Sequence, residues 1–131
     1  MMTTPYEQLG GEKRVRQLVD RFYDLMDTLP EVQDIRDWHG KDLSRARQLL
    51  FDFLSGWLGG PPLYVDKYGH PHLRQRHLLV AIGIKERDQW LHCMYQAMDD
   101  VGVEKDLQMS LRSSFFKVAD HMRNEPEAVN T

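Results

Sequence analysis

Apolar side chains recur every three to four residues in four long segments of this chain, and nowhere do they alternate with polar ones at the spacing of a half-buried strand. The fold class predicted from that pattern is all-α. In 12–29 the repeating set is Val15, Leu18, Val19, Phe22 and Met26. In 43–58 it is Leu43, Ala46, Leu50, Phe53, Leu54 and Trp57, while Arg45, Arg47, Gln48, Asp52 and Ser55 are predicted mostly on the outer face. A third long helix starts near Lys85 with Trp90, Leu91, Met94, Ala97, Met98 and Val101, and a fourth spans 104–123 with Leu107, Leu111, Phe115, Val118 and Met122. Glycine and proline punctuate these elements: Gly10-Gly11 before the first, Pro30 after it, Gly59-Gly60-Pro61-Pro62 after the second and Gly102 between the last two. The stretch 63–71 reads as irregular, and a short helix fits at 73–79.

A chain of 131 residues without an internal repeat, low-complexity tract or long linker is expected to form one domain over 1–131. Its 17 basic and 20 acidic side chains leave a net charge of −3, and neither sign forms a long block. That balance argues against nucleic acid or an anionic membrane surface as partner. No run of about 18 apolar residues is present to span a bilayer. The first 18 residues lack the apolar stretch of a secretory signal, and Cys93 alone makes no intramolecular disulfide, so a cytoplasmic location is expected.

Six histidines, at 39, 70, 72, 77, 92 and 121, are the main chemical resource. His70, His72 and His77 resemble a metal-ligand cluster by count, but no carboxylate stands at the Glu-x-x-His spacing of a di-iron bundle, and one cysteine excludes a zinc finger. His70 and His72 read more simply as polar loop residues. His77 differs: Leu78, Leu79 and Val80 follow it, and Arg74 and Arg76 precede it. An axial haem histidine wants that combination, with an apolar wall to exclude water from the iron and arginines to meet the propionates. Its second ring nitrogen would then donate to a main-chain carbonyl near Leu73. On these local features alone, an ordinary half-buried helix histidine remains the better reading.

Taken together, the motifs are recognisable. Tyr6-Glu7-Gln8-Leu9-Gly10-Gly11, Phe22-Tyr23, the run from Phe53 through Gly59-Gly60-Pro61-Pro62-Leu63-Tyr64, then Gly69-His70-Pro71-His72-Leu73-Arg74-Gln75-Arg76-His77 and Arg87-Asp88-Gln89-Trp90 occur in order over nearly the whole chain. In this the chain resembles a truncated haemoglobin of the second group. The resemblance implies a two-over-two globin-like helical sandwich around haem b, with helices B and E crossing helices G and H. It makes His77 the iron ligand and Tyr23 the distal tyrosine of helix B, and it matches Trp90 to the helix G tryptophan, whose indole N–H can also donate to a bound ligand. His39 falls where group members carry Tyr, His or Phe after helix C. Phe53, Leu54, Ala46 and Leu50 become pocket walls, and Tyr64, Arg74 and Arg76 rim contacts to the propionates. Without the family pattern, Tyr23 and Trp90 read as core aromatics and His39 as a helix-end residue facing water.

Two departures stand out. Ala46 and Leu50 fill the helix E positions facing the distal side, where many relatives place polar groups, and neither can hydrogen-bond a ligand. Leu79 stands where relatives often carry a proline. The functional expectation is a haem protein that binds O₂, and also NO, CO or peroxide, with Tyr23 and Trp90 retaining the ligand. At about 1.5 kcal/mol per hydrogen bond to a charged acceptor, each donor slows dissociation roughly tenfold. Slow release disfavours bulk oxygen transport and favours redox or detoxification chemistry, such as NO oxidation or peroxide reduction, served by a separate reductase. A haem-based gas sensor or interaction module, signalling through a partner protein, is the alternative.

Overall fold

The computed structural model describes residues 3–72, 77 and 80–124. The expected helix at 73–79 lies outside them except for His77, and so do Arg74, Arg76, Leu79 and the carbonyl of Leu73. The elements are α1 (Pro5–Leu9), α2 (Glu12–Thr28), a 3₁₀ turn (Pro30–Val32), α3 (Gln33–Arg36), α4 (Ser44–Trp57), α5 (Leu63–Tyr68), α6 (Ile84–Asp100) and α7 (Lys105–His121). Among the described residues there is no strand. Local chemistry sets the helix starts. Thr4 Oγ1 accepts from the Glu7 amide at 3.1 Å, and Pro5 opens α1. Glu86 Oε1 accepts from Gly83 N–H at 2.7 Å where α6 starts, and the Glu104 carboxylate accepts from the amides of Asp106 and Leu107 at the head of α7.

The long helices form two pairs, α2 with α4 and α6 with α7, joined chiefly where α2 packs on α6. Val15, Leu18, Val19, Phe22 and Met26 of α2 are buried against a core that includes Leu54, Met94, Ala97, Met98, Leu107, Leu111 and Phe115. The apolar stripes do not close completely. Ala46, Leu50, Phe53, Trp57, Trp90, Val118 and Met122 are only half-buried, because they wall a cavity between the pairs.

Two local readings are corrected. The first concerns 63–71, expected to be irregular: residues Leu63–Tyr68 form α5, which Pro62 precedes and Gly69 ends with φ of +78°. Helix signals are weak there because the segment is only six residues long and flanked by Pro and Gly on both sides. The second follows from the first. Asp52 and Ser55, expected on an outer face, are 0% and 1% exposed, because α5 and its leading turn pack on that side of α4. Lys67 of α5 pairs with Asp52 Oδ2 at 3.0 Å, Gln48 Nε2 donates to Asp52 Oδ1 at 2.8 Å, and Ser55 Oγ donates to the Pro61 carbonyl at 2.7 Å. Burying a carboxylate without such partners costs several kcal/mol. The opening motif contains its own helix, α1, and it docks on the Gly-Gly-Pro-Pro turn. Tyr6 N–H donates to the Leu58 carbonyl at 2.9 Å. A Cβ at Gly60 would stand 2.5 Å from the Tyr6 ring, and Gly59 has φ of +95°, so this contact needs both glycines.

Candidate functional site

The cavity has a volume of about 430 Å³ and lies among α2, α4, α5, α6, α7 and the turn after α3. A volume in that range suits a small organic ligand. Tyr23, His39, Ala46, Leu50, Phe53, Leu54, Tyr64, His77 and Trp90 all line it, so every described residue that the resemblance assigns to the site lines one space. Arg74 and Arg76 lie outside the described residues. Leu49, Trp57, Phe115, Val118 and Met122 complete a largely apolar and aromatic wall.

Each side chain arrives there for a local reason. Tyr23 follows Phe22 on α2, and the rings meet edge to face at 4.9 Å, so Phe22 fills the core while Tyr23 turns to the cavity. Trp90 of α6 is braced by Phe22 at 5.3 Å and Phe115 at 5.8 Å. His39 lies beyond α3, its ring 5.8 Å from that of Tyr23. The segment carrying His77 is tied to the end of α7 by Asn124. Asn124 Nδ2 donates to the carbonyls of His77 (3.2 Å) and Val80 (2.8 Å), and its Oδ1 accepts from the Ile82 amide at 2.8 Å. No periodicity marks a single asparagine after a helix, so Asn124 was not legible from sequence.

The polar atoms of the cavity are unusual in what they lack. Tyr23 is 7% exposed, and neither its hydroxyl nor the indole N–H of Trp90 makes a hydrogen bond among the described residues. Both donors open onto the cavity rather than being sealed in the core, so an accepting ligand there would find two donors with no competing partner among the described residues. Burial pushes the phenol of Tyr23 well above its ordinary pKa, with the nearby Arg47 charge acting in the opposite direction, so Tyr23 is a neutral donor at physiological pH. His39 is different. Its Nδ1 is 3.0 Å from the Ile35 carbonyl, which can only accept, so Nδ1 carries the proton. Burial holds the imidazole below its usual pKa, and the ring is neutral at pH 7. The remaining nitrogen, Nε2, therefore offers a lone pair rather than a proton.

At the rim, Arg87 is engaged by Asp88 and Asp120 at 3.0 and 2.9 Å. Arg45 also lines the cavity, is exposed and has no carboxylate partner among the described residues. Helical periodicity had assigned it to the outer face; a residue at the edge of an apolar stripe serves both faces. Cys93 shares α6 with Trp90 but is fully buried, and burial, with Glu31 nearby, pushes its thiol up to about 12. Its thiolate is negligible at pH 8. An aromatic disulfide reagent is expected to leave native protein unmodified and to titrate one thiol only after unfolding; rapid labelling of the native protein would contradict that burial.

The chain matches the family described as bacterial-like globin over residues 4–124. It belongs to that family. The group 2 truncated hemoglobin YjbI of Bacillus subtilis (strain 168) is 41% identical over 124 residues, which cover 95% of this chain and 91% of the relative. The cold-adapted truncated hemoglobin from the Antarctic marine bacterium Pseudoalteromonas haloplanktis superposes with a TM-score of 0.92 at 45% identity, covering 95% of this chain and all of that one (100%). The group II 2-on-2 hemoglobin from the plant pathogen Agrobacterium tumefaciens gives 0.91 at 46% identity, with coverage of 95% and 97%. The architecture of this globin is therefore the two-over-two sandwich, α2 and α4 packed with α6 and α7. Family membership implies haem and, with it, small diatomic gases. The residues present fit that group. An imidazole, an apolar aromatic wall and two donors without acceptors among the described residues share one cavity, and the exposed Arg45 lies at its edge.

Proposed function

We propose that this globin acts as a single domain that holds one haem b in the cavity through His77 and binds O₂, NO, CO or peroxide beside Tyr23 and Trp90. In this reading, retention of the ligand serves redox or detoxification chemistry, with electrons from a separate reductase, rather than bulk oxygen transport. The observation that carries it is a pair of donors, Tyr23 Oη and Trp90 Nε1, that have no acceptor among the described residues and line the same cavity as His77.

The haem supplies reversible gas ligation and electron transfer at its iron. The protein's own groups do the rest. His77 would hold the iron through its imidazole, and Asn124 ties the backbone that carries it through the His77 carbonyl. Phe53, Leu50, Ala46, Leu54 and Trp57 exclude water. Tyr23 and Trp90 donate toward the gas, and each bond strengthens as negative charge develops there. His39 Nε2 accepts, and so can hold a proton-bearing partner rather than donate one. Arg45 and Tyr64, which both line the cavity, would serve a propionate at the rim, the task expected of Arg74 and Arg76. Among the described residues no helix is long and apolar enough to cross a membrane, and the reading takes the protein to work in the cytoplasm.

The chain has 3 tryptophans, and Trp38, Trp57 and Trp90 all line the cavity. Titrating apoprotein with haemin is therefore expected to quench most tryptophan emission, with the endpoint at one equivalent and a Soret band growing in step. Emission that survives saturation would put the haem elsewhere and defeat the reading. On the functional side, oxygenated protein should consume NO rapidly while releasing oxygen slowly. Fast release without NO consumption would point to carriage.

A further inference from the structure

Tyr23 has no hydrogen bond to fix its height in the cavity, so its position depends on how the turn of α2 that carries it is held. One cation of α4 grips that turn from both sides. Arg47 Nη1 donates to the Asp20 carbonyl at 3.0 Å and to Asp20 Oδ1 at 3.2 Å, while Nη2 donates to Asp24 Oδ1 at 2.8 Å. Asp20 and Asp24 are one helical turn apart, with Tyr23 between them in sequence, and the guanidinium carbon lies 5.9 Å from the Tyr23 ring centroid. The Arg47 side chain is 26% exposed, which places the grip at the edge of the core rather than in free solvent.

Ordinary surface ion pairs contribute little to stability. A planar fork holding three oxygens on one helical turn acts differently, because it fixes geometry. On its own helix Arg47 follows Ala46 and precedes Leu50 by three residues, and both line the cavity. Arg47 therefore couples the wall of the cavity to the helix that carries its buried hydroxyl.

We propose that Arg47 is a positioning residue for Tyr23: by spanning Asp20 and Asp24 it sets the register of α2 on α4 and so how far the Tyr23 hydroxyl reaches toward the bound gas. This rests on the donor role given to Tyr23 above. Core packing through Val15, Leu18, Val19, Phe22 and Met26 holds α2 as a whole, and Arg47 adds a polar tie at the turn that carries Tyr23.

The test uses haem-loaded protein with carbon monoxide as probe, reading the C–O stretch by infrared, and with oxygen, reading its dissociation rate. Tyr23→Phe, which removes the hydroxyl and keeps the ring, gives the reference shift. Arg47→Met is expected to move the stretch in the same direction and to speed oxygen release about threefold to tenfold. Asp24→Asn, a milder change that keeps Arg47, should move it part of the way, and Arg47→Lys should recover part of the loss. In the Tyr23→Phe background, Arg47→Met should change neither readout, because the residue acts through the hydroxyl. If Arg47→Met lowers Tm but leaves the stretch at its wild-type value, or if its effect is undiminished without the hydroxyl, Arg47 is a helix tie and the proposal falls. A shift in Tyr23→Phe with none in Arg47→Met removes the positioning role alone. No shift in Tyr23→Phe removes the donor role and the positioning role together.

Discussion

Replacing Tyr23 and Trp90 together by phenylalanine is expected to speed oxygen release by roughly two orders of magnitude, with each single change giving about tenfold. The size follows from the bond being lost: a neutral donor to an acceptor that has gained negative charge is worth about 1.5 kcal/mol, and water does not replace it in an apolar cavity. Tyr23→Phe is the cleaner change. It keeps the edge contacts with Phe22 and His39 and removes only an oxygen that has no hydrogen-bond partner among the described residues. Trp90→Phe also thins the packing against Phe22 and Phe115, so its melting temperature should fall while that of Tyr23→Phe holds or rises. Because both donors serve one ligand, the double variant should fall somewhat short of the product of the singles. Stopped-flow displacement of oxygen by carbon monoxide measures all of these. Fast release from the wild type, unchanged in either variant, would mean that the two donors do not reach the ligand.

The parts of the fold that were legible in sequence are those encoded by local periodicity. The faces Val15–Leu18–Val19–Phe22–Met26 and Leu107–Leu111–Phe115 are buried as the 3.6-residue repeat requires. The order of the motifs added what periodicity does not contain: that Tyr23, His39, His77 and Trp90, spread over 68 residues, line one cavity. Apolar stripes look alike whether they close a core or wall a pocket, so Leu50 and Phe53 could be assigned to the cavity only through the resemblance, and Trp57, read as a core residue, was missed.

What was not legible depends on contacts made by elements too short to show a repeat. Asp52 reads as a solvated helix residue until α5 is known to lie on it and bring Lys67. Asn124 reads as a loop residue, yet it holds the His77 and Val80 carbonyls across more than 40 positions of sequence. Arg45 and Arg47 occupy the boundary of the α4 stripe, where a rotation of a few tens of degrees decides between solvent, cavity and partner helix. The proton on His39 is likewise a tertiary fact, since the Ile35 carbonyl decides which nitrogen carries it.

The second large effect concerns His77, the residue to which the haem reading gives the iron. Removing its imidazole while keeping the backbone that Asn124 holds should leave the helices folded but deprive the iron of its protein ligand. The direct measurement is the absorption spectrum of ferrous, haem-loaded His77→Gly beside the wild type, with and without added imidazole. A Soret band of a histidine-ligated globin in the wild type, lost or strongly shifted in His77→Gly and restored when imidazole diffuses into the cavity, is the predicted result. A His77→Gly spectrum identical to the wild type in the absence of imidazole would contradict it.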